Sequence, residues 1–182
     1  KPLLDSIESR FEQYRHITNP AARKQWYHKI DSLSQLAAKY NIPNEYDKMM
    51  ASIGSEGSNA FTGDDQTCYV EDIPSNEIAT WARVQSDRFR NMVIRGFHTE
   101  LEAVYEEYNI SLSRDMDKMW TALSKKLFPN HPYGTQTTIG TQEHLKNPSI
   151  VNIKNYFHKY YVPNNIAIVM AGDFDPDNVI AI

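Results

Sequence analysis

Two glutamates, Glu100 and Glu107, have the type and spacing that could do chemistry in this chain. At about 100° per residue, a separation of seven residues brings them within about 20° of each other along one edge of a helix. With Glu100 at zero, Leu101, Val104, Tyr105 and Tyr108 fall between roughly 40° and 140° and form one apolar stripe. Glu102 and Glu106 land on the far side, where a solvated carboxylate is ordinary. Two carboxylates at the margin of a buried face need hydrogen bonds, cations or a metal ion, because bare burial is costly. An arginine or lysine from a neighbouring element would meet that need, and so would a bound metal.

The helix that positions them begins at a glycine, Gly96, and Thr99 with Glu102 has the spacing of a capping box. Upstream, Leu3, Leu4, Ile7, Phe11 and Tyr14, then Trp26, Ile30, Leu33 and Leu36, carry helical periodicity. The break at Thr18-Asn19-Pro20, with Pro20 at a first helical position, predicts a helical hairpin over residues 3–40. A short helix follows near 43–53 and stops at Gly54. Residues 58–62 and 67–73 alternate about a Gly63-Asp64-Asp65 turn and predict a β-hairpin. A helix from Pro74-Ser75 carries Ile78, Trp81, Ala82 and Phe89 on one side, with Arg83, Arg88, Arg90 and Arg95 on it or just beyond.

After the central helix, Met116, Met119, Trp120, Leu123 and Leu127 recur at helical spacing and predict a core-facing helix. Residues 130–134 and 138–141 read as loops. Residues 149–161 read as a helix with Ile150, Ile153, Phe157 and Tyr160 inward. The run Ile166-Ala167-Ile168-Val169-Met170-Ala171 has the pattern of a buried strand. Strands mixed with longer helical runs make the class α+β.

Composition removes several kinds of function. The 182 residues carry a formal net charge of −4 and no cluster of Lys and Arg, so no basic field for nucleic acid exists. Cys68 is the single cysteine, which leaves no disulfide framework and no cysteine-based metal site. No apolar run reaches the length of a membrane span. No glycine-rich phosphate loop precedes a helix. The six histidines are scattered, and none forms an H-x-x-H, H-x-x-x-H or H-x-x-E-H group. His16 and His28, on the hairpin, read as surface residues.

Five motifs nevertheless recur in a meaningful order. They are Asn59-Ala60-Phe61-Thr62 with Thr67-Cys68-Tyr69, the run from Glu100 to Glu107, and His131-Pro132-Tyr133-Gly134 with Ile139-Gly140. Tyr160-Tyr161-Val162-Pro163-Asn164-Asn165 and Ala171-Gly172-Asp173-Phe174-Asp175 complete them. Together they resemble the pitrilysin/insulinase family of zinc peptidases, the inverzincins. The resemblance implies a mixed sheet packed on helices, like the half-domain of processing-peptidase-like metallopeptidases. Residues 44–182 would be part of the N-terminal, catalytic-type domain, and residues 1–43 an inserted helical hairpin.

Carried over residue by residue, the resemblance makes Glu107 the distal zinc ligand and Glu100 the accessory acid of the catalytic centre. Asn59, Ala60 and Phe61 become the edge strand that receives a peptide substrate as an added strand. The family's H-x-x-E-H, which supplies two histidine ligands and the general base, does not occur in residues 1–182 and is expected upstream of Lys1. Both ends of the sequence read as cuts through a longer protein. The implied partners are a peptide substrate and the remaining domains of the parent chain or a homologous subunit, with no nucleic acid and no membrane span. On ligand count, these residues alone are expected neither to hold zinc tightly nor to cleave peptides. A non-catalytic homologue serving as a binding or scaffold subunit is the alternative. Retention of both carboxylates argues against it.

Overall fold

A computed structural model describes all residues from Lys1 to Ile182. The helices are α1 (Pro2–Tyr14), α2 (Pro20–Ala38), α3 (Glu45–Ser52), α4 (Ile78–Arg90), α5 (Phe97–Ser113) and α6 (Asp115–Leu127), followed by α7 (Pro132–Thr135), α8 (Gln142–Lys146), α9 (Ile150–Tyr160) and α10 (Pro176–Ile180). The strands β1 (Gly57–Thr62) and β2 (Thr67–Asp72) pair antiparallel, with Asn59 opposite Val70 and Ala60 opposite Tyr69. The fold is α+β. The chain divides into a unit of residues 1–41, 63–65 and 94–154 and a unit of residues 42–62, 66–93 and 155–182.

The first unit is built on the helical hairpin. Asn19 accepts hydrogen bonds from the amides of Ala21 and Ala22 at 3.0 and 3.1 Å, and Pro20 gives up an amide that the first turn cannot use. Ile7 and Phe11 of α1, Ile30 of α2 and Ile150 at the start of α9 are buried together, with Phe97 and Leu101 of α5 against them. The Phe11 and Phe97 rings meet edge to face at 5.2 Å. In the second unit Met50 of α3 and Ile78 of α4 are buried.

Several expectations need correction. The sheet is a two-stranded antiparallel hairpin rather than a mixed sheet. Its expected third strand is a 3-10 turn, Pro163–Asn165, followed by an extended run over 166–171 that pairs with nothing. An apolar β-branched run makes a strand only where a second backbone meets it. The apolar face of α6 does not face a core: Met116, Trp120 and Leu127 are 59%, 56% and 62% exposed. In α9, Ile150 is buried and Phe157 half-buried, whereas Ile153 and Tyr160 are exposed. Residues 132–135, expected as loop, close one helical turn because Pro132 presets its first position.

Candidate functional site

Helix α5 begins where expected, but a different device starts it. Gly96 takes a left-handed φ of 65°, and no side chain caps the helix, so the Thr99–Glu102 capping box is not formed. The chain enters the helix at Phe97, two residues before Thr99, which places Thr99 inside the first turn. The apolar stripe is present: Leu101, Val104, Tyr105 and Tyr108 are all half-buried.

Glu100 and Glu107 are both exposed, and neither side chain joins a hydrogen bond or an ion pair. Their separation along the axis is about 10 Å, at 1.5 Å of rise per residue. The burial that would have forced a partner on them does not occur, because the stripe ends before their edge of the helix. In the second unit, Arg88 of α4 lies 3.8 Å from Glu71 and stacks over the rings of Tyr46 and Tyr69 at 4.2 and 4.7 Å.

The polar residue that α5 does bury is His98, 5% exposed. Its Nε2 lies 3.5 Å from Asp31 Oδ1 of α2 and 3.7 Å from Glu102 Oε1, while its Nδ1 is buried without a partner. Tyr27 of α2 packs its ring 5.0 Å from the imidazole and donates its hydroxyl to Glu102 Oε1 at 3.0 Å. Burial first, then the Glu102 carboxylate, pushes the Tyr27 hydroxyl up to about 12. These contacts fix α5 against the hairpin. The helical wheel held the signal, since His98 falls at roughly 160°, between Tyr105 and Glu102.

In the second unit, β1 is exposed along its whole length and is paired on one side only. Asn59, Ala60 and Phe61 therefore stand on a free edge, where the Ala60 amide donates to its neighbour's Asn59 Oδ1 at 2.8 Å. The hairpin is held from β2. The Glu71 side chain, 7% exposed, accepts from Trp81 Nε1 and from Gln85 Nε2, the latter at 2.7 Å. Tyr69 and Tyr161 meet hydroxyl to hydroxyl at 3.3 Å, and burial and then Tyr161 push the Tyr69 hydroxyl up to about 12. Sequence reading missed Glu71, whose alternation in a strand gives no hint of the two donors and the guanidinium waiting on α4.

No group of three or more His, Cys, Asp or Glu side chains in the structure could hold a metal ion. A catalytic zinc takes three protein donors, so the residues present do not by themselves fit one. Glu107 and Glu100 offer oxygen atoms in water and no histidine nitrogen beside them.

No family model matches the chain, and no solved structure matches it. Over 117 residues it is 29% identical to a Bacillus subtilis (strain 168) protein named "Uncharacterized zinc protease YmxG". The match covers 63% of this chain and 28% of that relative, so the chain spans little more than a quarter of the relative's length. No helix is long and apolar enough to cross a membrane.

Proposed function

We propose that residues 44–182 belong to the N-terminal, catalytic-type domain of a zinc metalloendopeptidase of the pitrilysin/insulinase kind, with residues 1–43 as an inserted helical hairpin. The substrates are peptides or small proteins. Glu107 supplies one oxygen donor to the metal. The histidine donors and the general base come from an H-x-x-E-H segment outside residues 1–182. Glu100 stands two turns away on the same edge of α5 and steadies that centre, and β1, through Asn59, Ala60 and Phe61, receives the substrate backbone on its free side.

One observation carries this reading. Glu100 and Glu107 are exposed and in register on α5, yet no cation or donor in the chain engages them. Their register on one edge of α5 leaves two carboxylates side by side and open to a metal ion brought by the rest of the protein. The relative's name is consistent with the same chemistry.

Cleavage of a quenched peptide by the full-length gene product tests it. The expected activity is sensitive to chelators and falls at least about a hundredfold in Glu107→Gln. Glu106→Gln, one residue away and solvated, should keep it. Full-length protein that binds partner subunits but cleaves nothing would instead favour the scaffold reading.

A further inference from the structure

β1, the strand assigned above to the substrate backbone, does not hold itself in place. It is exposed along its whole length, and the strand it pairs with is β2. A hairpin of two strands is marginally stable alone, so its position is set by what packs against it. β2 is held at Tyr69 and Glu71, which lie two residues apart and therefore on one face. They stand opposite Ala60 and Ser58 of β1. Trp81 and Gln85 bond Glu71, and Tyr161 meets the Tyr69 hydroxyl, but Arg88 of α4 engages both residues together. Its guanidinium lies 4.7 Å over the Tyr69 ring, and its Nη1 is 3.8 Å from Glu71 Oε1. The same group lies over Tyr46 at 4.2 Å and Phe89 at 5.7 Å.

We infer that Arg88 is a positioning residue for polypeptide binding at β1, acting through Tyr69 and Glu71. The inference rests on the reading of β1 as the substrate edge and adds the residue that fixes where that edge lies. The chemistry asks for arginine. A guanidinium is planar and weakly hydrated, so it can lie on a ring while its N–H groups face a carboxylate. A lysine ammonium is a compact point charge and gives up that flat contact. An added strand gains its affinity from a row of backbone hydrogen bonds, and each needs the edge held in one place. An edge that rocks on α4 must be ordered by the ligand, and that cost is subtracted from affinity.

Anisotropy of fluorescein-labelled casein, an unfolded polypeptide, titrated with the full-length gene product in chelator tests it without cleavage. The native protein is expected to bind. Arg88→Met should weaken binding at least about tenfold, and Arg88→Lys, which keeps the charge beside Glu71, at least about threefold. Arg83→Met, at an exposed position on the same helix, should bind as the native protein does. With the chelator omitted, quenched-peptide kinetics of Arg88→Lys should show a raised KM and an unchanged kcat. An arginine needed only for folding would reduce the fraction of active protein, and hence the apparent kcat, without moving KM or the dissociation constant. A native protein that does not bind casein, Arg88 variants that bind it as tightly as the native protein, or a fall in kcat alone would each overturn the inference. Weakened binding by the Arg88 variants of a protein that cleaves nothing would uphold the inference and remove the peptidase reading. Cleavage with an unmoved KM would do the reverse.

Discussion

Tyr27 donates its hydroxyl to Oε1 of Glu102 at 3.0 Å, and this bond joins the second helix of the hairpin to the helix that carries Glu100 and Glu107. It gives the fold an alkaline limit. The Tyr27 hydroxyl is raised from 10.0 to about 12, so the folded state favours the neutral phenol. The resulting stability is fully present below pH 10 and is lost as pH climbs through about 12. Denaturant titrations across that window should show the loss in the native protein and a smaller one in Tyr27→Phe. At neutral pH the same substitution should cost about 0.5–1.5 kcal/mol.

Phe11 is the centre of the first unit's core, 1% exposed and edge to face with Phe97. Phe11→Ala should destabilise by about 3–5 kcal/mol, and Ile30→Val by about 0.5–1.5 kcal/mol. Urea unfolding at one pH measures both. An equal effect from the two would mean that the hairpin core repacks freely.

Glu71 anchors β2 to α4 through Trp81 and Gln85, with Arg88 alongside. Glu71→Ala orphans those donors and should cost about 3 kcal/mol or more, whereas Glu71→Gln keeps an acceptor and should cost less. Melting temperatures of the two variants separate the hydrogen-bond role from simple volume.

Gly134 has no room for a side chain, because an added Cβ would lie 2.2 Å from the Phe128 carbonyl oxygen and 2.6 Å from that of Ser124. Gly134→Ala should therefore disturb the turn that places Tyr133, whose hydroxyl donates to Asp65 at 2.7 and 2.8 Å. A variant as stable as the native protein would contradict that steric account.

Local signals in the sequence translated well into local structure. Asn19-Pro20 starts a helix, Gly54 and Gly96 take positive φ where helices stop or start, and the Gly63-Asp64-Asp65 turn joins two strands. Features that depend on distant partners did not. The run 166–171 has the composition of a strand but no backbone to meet it, and the Met-rich face of α6 has the spacing of a core helix but no core in front of it. His98 and Glu71 became buried polar anchors through donors and acceptors on other helices, which periodicity within one segment does not encode. At the candidate site, the register of Glu100 and Glu107 was legible. Their exposure was not, because it depends on where the packing of α5 against the hairpin ends.

Zinc content of the full-length protein, measured beside that of its Glu107→Gln variant, tests the central claim most directly. The account predicts close to one zinc per chain in the native protein, an affinity at least about tenfold weaker in Glu107→Gln, and no change in the Glu106→Gln control. A full-length protein that holds no zinc, or a Glu107→Gln variant that binds it as tightly as the native protein, would contradict the account.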